Sequence, residues 1–114
     1  MMPPWLIALL VTLVAEVPLV AALYPGQRPR MAAVATAANV ATNLTLNLVL
    51  PRLSYLRGHY LVPGEVMAVA VEATVYALAS RPRDFARGLM VSSLANALSF
   101  SLGLTPVLRP LLVP

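Results

Sequence analysis

The chain has 114 residues, of which 60% are hydrophobic and 11% charged, and its formal net charge is +4. About a quarter of the residues of a soluble domain are charged, so most of the surface of this chain must face something other than water. It contains no Cys, which excludes a disulfide framework, a Cys-based metal site and a thiol nucleophile.

Four segments are apolar and long enough to cross a bilayer, since a spanning helix needs about 20 predominantly apolar residues. They cover approximately residues 5–23, 31–50, 63–79 and 85–104. The first lacks the basic start of a signal peptide, so we expect it to remain as the first helix. We therefore predict an all-α integral membrane bundle of four transmembrane helices, forming a single domain over residues 1–114.

The connections between these segments are short and rich in Pro. The segment 52–60 carries Arg, Tyr and the only His of the chain, His59, and is predicted to be an interfacial loop. Proline recurs through the tail, 106–114, which therefore cannot be one regular helix and is expected to lie along the membrane surface.

The distribution of Arg predicts an orientation in the plasma (inner) membrane. An even number of spans places both termini on one side and the turns after the first and third spans on the other. Five Arg belong to the turn side and three to the terminal side, which favours cytoplasmic turns and external termini. Dual insertion, giving an antiparallel dimer, remains an alternative. The turn-side residues are Arg28, Arg30, Arg81, Arg83 and Arg87, and the others are Arg52, Arg57 and Arg109.

A short internal repeat indicates two similar helical hairpins. Each unit has a Glu-bearing helix, an Arg-Pro-Arg turn and a helix with an Ala-Asn pair. The first unit contains Glu16, Arg28-Pro29-Arg30 and Ala38-Asn39, and the second contains Glu72, Arg81-Pro82-Arg83 and Ala95-Asn96. Two such hairpins would be related by an approximate twofold axis along the membrane normal.

Polar residues that lie inside the predicted spans are the candidate functional residues. With a rise of about 1.5 Å per residue, five of them fall at about 10–17 Å from the terminal side, in one layer near the midplane. They are Glu16, Glu72, Asn39, Asn43 and Asn96, with Tyr76, Ser92 and Ser99 as supporting residues. A charge that faces lipid costs several kcal/mol, so we expect these groups to point into the bundle.

Two carboxyl groups close together in a low dielectric cannot both ionise easily, so at least one should hold a proton. The predicted centre is a proton site, or a cation site completed by Asn and Ser oxygens. His59 lies in a loop, so we expect no transition-metal site and no cofactor. In the alternative interpretation the polar groups only hold the helices together. Glu65 is assigned a structural role, because a carboxylate in the first turn of a helix suits its dipole.

Four motifs give the chain a resemblance to small, uncharacterised four-helix membrane proteins of prokaryotes, a likeness that implies the fold and no activity. The motifs are Glu16-Val17-Pro18, Ala38-Asn39, Glu72-Ala73 and the run from Leu94 to Phe100. The chain also looks like the small multidrug resistance transporters in its size and in the Glu of its first helix. It departs from them in its second midplane Glu and in lacking their aromatic-rich substrate helices.

Three function classes follow. The first is a small proton- or cation-coupled transporter or channel that uses the midplane Glu and Asn residues, acting as a homodimer because four helices leave little room for a pore. The second is an accessory subunit of a larger membrane complex. An intramembrane enzyme ranks last, since neither a nucleophile nor a metal constellation accompanies the carboxyls. The bilayer is the expected partner, and nucleic acid is not.

Overall fold

The structure, a computed structural model, describes residues 2–49 and 61–103, where the chain forms four α-helices and no strand. Within these ranges, the structure does not describe the side chains of four residues, Asn47, Val49, Leu61 and Val62. The helices are α1 (Pro4–Ala22), α2 (Arg28–Leu44), α3 (Leu61–Ala79) and α4 (Phe85–Gly103), and α2 continues into a single π-helical turn, Thr45–Val49. The predicted interfacial loop and surface tail fall outside the described residues.

The all-helical prediction is confirmed, and two of the helices begin earlier than expected. α2 begins at Arg28 rather than at residue 31, because Pro29 fits the first turn of a helix, where its missing N–H costs nothing. Arg28 and Arg30 therefore open a helix instead of lying in a turn. α3 begins at Leu61, so Glu65 lies beyond the first turn in which it was expected.

The helices pack as an up-and-down bundle. α1 lies beside α2 and α4, and α3 lies beside the same two helices, so α1 and α3 face each other across the centre. Short turns join α1 to α2 and α3 to α4, and Gly26 in the first turn has a φ of 84°, in the left-handed region that favours glycine. We call the end of the bundle with these two turns the turn end, and the opposite end the terminal end.

Hydrogen bonds between the hairpins fasten the turn end. The Gln27 amide accepts from the Arg81 backbone N–H at 2.7 Å and donates to the Arg81 carbonyl at 2.8 Å. Arg30 of α2 donates to the carbonyl of Ala79, where α3 ends. Basic side chains near the C-terminus of a helix satisfy its last carbonyls and suit its dipole.

A reciprocal contact is made by the other hairpin. Arg87 of α4 donates to the carbonyl of Leu23, where α1 ends, and its guanidinium stacks over the ring of Tyr24 at 4.7 Å from the centroid. Each hairpin therefore caps the first helix of the other. This exchange is what an approximate twofold axis along the bundle requires.

The structure corrects one part of the predicted repeat. The Glu and Ala-Asn elements occupy corresponding places in the two hairpins, but the Arg-Pro-Arg elements do not. Arg28 opens α2, whereas Arg81 and Arg83 precede α4 in the turn. The counterpart of Arg30 is Arg87, which performs the same capping role.

One helix by itself is long and apolar enough to cross a membrane, among the residues that the structure describes. This helix is α1, whose most apolar window has a mean hydropathy of 2.3 and is 17% buried in the bundle. Helices of this composition also form the cores of soluble proteins and the hydrophobic parts of signal sequences. That all four helices span a bilayer stays a prediction.

Candidate functional site

Two carboxyl groups meet at the centre of the bundle. Glu16 of α1 and Glu72 of α3 are each 1% exposed, and their side chains line the same small cavity. Since α1 and α3 face each other across the axis, corresponding positions of the two hairpins supply this carboxyl pair. The sequence predicted both residues at the same depth, and the structure brings them together.

Glu72 is held by donors from both flanking helices. The Thr42 hydroxyl on α2 donates to Oε2 at 2.7 Å, and the Asn96 amide on α4 donates to Oε1 at 2.8 Å. All three side chains are buried. Each carboxylate oxygen therefore has a donor in place of the water that burial removes.

Glu16 has a donor on one oxygen only. The Ser99 hydroxyl on α4 donates to Oε2 at 2.5 Å. The other oxygen, Oε1, is buried, and none of the described residues donates a hydrogen bond to it. A proton on Oε1 would turn this atom into a donor toward Glu72 and would satisfy it. The geometry thus fits one proton shared by the pair.

The contacts of the carboxyl pair follow the twofold pattern of the fold. Glu16 accepts from a hydroxyl of the second hairpin, and Glu72 accepts from a hydroxyl of the first. The two donors, Ser99 and Thr42, each lie three residues after the Asn of their helix. The Asn amides also correspond, because Asn39 and Asn96 each donate to the carbonyl four residues earlier at 2.8 Å.

The twofold pattern breaks at Asn39, which does not contact a carboxyl group. Its amide donates to the Tyr76 hydroxyl at 3.2 Å, whereas Asn96 donates to Glu72. Tyr76 was predicted as a supporting residue, and in the structure its hydroxyl accepts from Asn39. The position of α1 that corresponds to Tyr76 holds Val20, which has no polar group to offer.

The remaining predicted residues lie around the pair. Asn43 is half-buried and donates to the Thr12 hydroxyl at 3.2 Å, which joins α2 to α1. Ser92 is buried, donates to the Val69 carbonyl at 2.8 Å and joins α4 to α3. These two residues therefore connect neighbouring helices.

A small cavity of about 30 Å³ adjoins the carboxyl pair. It is large enough for a water molecule, which needs about 10–15 Å³ by this measure. Glu16, Asn39, Glu72 and Asn96 are buried there, while Glu65 at the rim is partly exposed. The lining residues are Thr12, Glu16, Asn39, Thr42, Asn43, Leu46, Glu65, Ala68, Glu72, Asn96 and Ser99.

Toward the turn end, the interior is filled by apolar and aromatic side chains. Tyr24, Tyr76 and Met31 are fully buried there, together with Val20 and Val91. Burial raises the pKa of Tyr24 above its ordinary value, so its phenol remains neutral beneath the Arg87 guanidinium. In this structure the cavity therefore lies nearer to the terminal end, and packed side chains separate it from the turns.

Thr42 and Glu65 are the site residues that the sequence analysis missed. Thr42 could have been found by comparing the hairpins, since Asn39-x-x-Thr42 parallels Asn96-x-x-Ser99. Glu65 lies seven residues before Glu72, on the same face of α3. That spacing was visible, but its location near the start of the helix favoured a structural interpretation.

Comparison of the chain with protein-family models, with curated proteins and with solved structures finds no match. The resemblances drawn from its motifs therefore remain predictions. What the site can do is argued from its own geometry.

Proposed function

We propose that the chain is an integral membrane protein whose four helices cross the bilayer together. The support is the distribution of its side chains, because the outer surface carries large apolar groups. Val14 is 76% exposed, and others include Leu10, Val66, Leu78, Phe85, Leu89, Met90, Leu94 and Phe100. Contiguous exposed apolar surface of this kind marks a membrane or a protein partner rather than water.

The interior supports the same proposal. Two carboxyl groups, two Asn amides and several hydroxyls are buried in the bundle. A soluble helical bundle of this size would bury its large apolar side chains and expose its charges. Polar groups directed inward from an apolar exterior are expected in lipid, where a charge on the outer face costs several kcal/mol.

We infer that the carboxyl pair binds and releases a proton during transport. The observation that carries this inference is that buried Glu16 and Glu72 line one small cavity, each with a separate hydroxyl donor. Two carboxylates in contact within a low dielectric repel each other strongly, so the pair holds at least one proton at neutral pH. Loss or gain of that proton changes the charge at the centre of the bundle.

The donors around the pair favour a proton over a metal cation. Thr42, Asn96 and Ser99 all direct hydrogen atoms at the carboxyl oxygens. A hard cation is bound by oxygen lone pairs, and the amide nitrogen that Asn96 directs at Glu72 has none to offer. The Asn96 amide is also fixed by the Ser92 carbonyl, which accepts from the same nitrogen at 2.8 Å. Turning its oxygen toward a cation would break both bonds.

The second candidate function is that of an accessory subunit whose polar layer holds the helices in register. It is favoured by polar bonds between helices, such as those from Asn39 to Tyr76, from Asn43 to Thr12 and from Ser92 to the Val69 carbonyl. Such contacts between membrane helices contribute about 0.6–2 kcal/mol each. In this interpretation the exposed apolar faces would bind the other subunits.

Proton flux into liposomes tests the first proposal. The purified chain is reconstituted with an internal pH-sensitive dye, and a pH gradient is applied with valinomycin and K⁺ to clamp the voltage. We expect proton uptake by the wild type, and no uptake above empty liposomes for Glu16→Gln or Glu72→Gln.

Asp84→Asn is the matched control, because it removes one exposed carboxylate far from the cavity and Asn retains the ability to cap α4. This variant should conduct like the wild type. Equal flux in all four proteins, or no flux in any of them above empty liposomes, would contradict proton transport and favour the accessory role.

A further inference from the structure

A third carboxyl group, that of Glu65, lies at the rim of the central cavity. It is two helical turns from Glu72 on the same face of α3 and lines the cavity that the carboxyl pair adjoins. Glu65 is partly exposed, whereas Glu72 and Glu16 are 1% exposed. Of the three Glu residues, it is therefore the one that is not fully buried.

The two hairpins differ at this position. Since Glu16 and Glu72 correspond, the residue that matches Glu65 in the first hairpin is Leu9, which is 9% exposed and apolar. The carboxyl pair, its hydroxyl donors and the Arg caps are repeated in both hairpins, while the rim carboxyl belongs to the second alone. The centre thus has a polar approach beside α3 that it lacks beside α1.

The groups that face Glu65 allow it to change its charge. The carboxyl groups near it are Glu72 on its own helix and Glu16 on α1. The polar lining from α2 and α4 is neutral, consisting of Asn39, Thr42, Asn43, Asn96 and Ser99. The lining that the described residues provide holds no cation that would fix Glu65 in its ionised form.

Glu65 also marks the boundary between the polar cavity and apolar surface. It borders a groove between α3 and α4 that is lined by Val66, Val69, Ala97 and Phe100. Protons cannot reach the cavity through such an apolar lining without a titratable group or water. The carboxyl group of Glu65 supplies the titratable group at that boundary.

We propose that Glu65 is the entry residue through which the carboxyl pair exchanges protons with the terminal end. The proposal rests on the proposed function. An ionised Glu65 takes a proton from a hydronium ion at the terminal end, which leaves as water, and Glu65 becomes neutral. It then gives that proton to a water molecule in the cavity as the water gives one of its own to Glu72. The O–H bond of Glu65 breaks, one forms on Glu72, and the water is regenerated.

The test compares wild type, Glu65→Gln, Glu65→Asp and Glu72→Gln in the liposome assay. A positioned group that transfers a proton accelerates the transfer about 100-fold or more, and water can replace part of that, so we expect Glu65→Gln to slow the flux at least about tenfold. Glu65→Asp keeps a carboxyl group at the rim and should restore most of the rate. Melting temperatures establish that each variant is folded.

A second measurement separates entry from binding. The carbonyl stretch of the protonated carboxyl pair is followed by difference infrared spectroscopy after equilibration between two pH values. Glu65→Gln should retain this band, because the pair still binds its proton at equilibrium, while Glu72→Gln should lose it.

The outcomes distinguish this inference from the proposed function. If Glu65→Gln conducts like the wild type while Glu72→Gln does not, Glu65 is not the entry residue and the transport proposal stands. Loss of the pair's band in folded Glu65→Gln also overturns the entry role, since Glu65 would then belong to the binding site itself. If Glu72→Gln conducts like the wild type, the proposed function fails first.

Discussion

At the scale of single residues, the carboxyl pair depends on donors that come from the opposite hairpin. Thr42 supports Glu72 and Ser99 supports Glu16, so each carboxyl group fixes a contact between two helices that are distant in sequence. A buried carboxyl that loses its donor has no water to replace it. The same bonds therefore serve both the chemistry of the site and the association of the hairpins.

Thr42→Val tests this dual role. Val has nearly the shape of Thr but cannot donate to Glu72, so the free energy of unfolding should fall by about 1–3 kcal/mol. The comparison is Thr36→Val on the same helix, where the hydroxyl is exposed and bonds only to the Ala32 carbonyl. Thr36→Val should change the free energy of unfolding by no more than about 0.5 kcal/mol. Unfolding in mild detergent, followed by circular dichroism, measures both, and equal effects would contradict the role given to Thr42.

The sequence predicted those site residues whose burial costs the most free energy. Glu16, Glu72 and Asn96 were identified because polar groups are expensive in the middle of an apolar span. Thr42 was missed because a hydroxyl in a helix can bond to a carbonyl of the same helix. Its burial in an apolar span then costs little free energy, so its presence there does not indicate a site. The sequence also could not reveal that Asn39 bonds to Tyr76, since that choice depends on which helix lies next to α2.

At the scale of helices, α4 and α3 approach each other closely at Gly88. A Cβ atom on Gly88 would lie 2.5 Å from the Ala73 carbonyl oxygen and 3.1 Å from the Ala77 nitrogen. The small residues of α3 at this point let the two backbones come together. Small residues at helix contacts are the usual means of close packing in membranes.

Gly88→Ala should therefore destabilise the protein, although Ala is the better helix former by about 1 kcal/mol. The backbone of α3 cannot yield as a flexible side chain could, so we expect a loss of about 1–3 kcal/mol from overpacking. Ala86→Val is the matched control, since it enlarges an exposed residue of the same helix. A melting temperature for Gly88→Ala at or above that of the control would show that α3 and α4 are not in this close contact.

The helices themselves were largely predictable, because apolar runs of about 20 residues bounded by Pro are a strong local signal. Their contacts were not. The repeat was aligned on the two Arg-Pro-Arg sequences, but Arg30 corresponds to Arg87 in the structure. The correspondence follows from which helix end each guanidinium caps, and a capping contact between distant segments leaves no local pattern in the sequence.

At the scale of the whole molecule, the bundle combines an approximate twofold axis with a polar interior and an apolar exterior. Reciprocal caps close the turn end, and the repeated carboxyl groups meet on the axis. Two departures from symmetry, Glu65 in place of Leu9 and Tyr76 in place of Val20, lie on opposite sides of the carboxyl pair along α3. A symmetric core with asymmetric approaches gives the bundle a direction along its own axis. If the bundle crosses a membrane as proposed, its orientation determines the direction in which protons would enter.

Single Cys substitutions test this orientation directly, since the chain has no Cys of its own. Met2→Cys marks the terminal end, and Pro25→Cys marks the turn end; both positions are exposed. The five Arg near the turns favour a cytoplasmic turn end. In intact cells, a membrane-impermeant maleimide should therefore label Met2→Cys and should reach Pro25→Cys only after permeabilisation.

The reverse pattern would invert the proposed orientation and place Glu65 on the cytoplasmic side. Labelling of both positions in intact cells, each in part of the molecules, would indicate dual insertion, in which the two orientations coexist. Protons would then enter past Glu65 from opposite sides in the two populations, and the asymmetry of the single chain would cancel across the membrane. Labelling of both positions in full, with the protein released by alkaline carbonate, would contradict insertion in the bilayer.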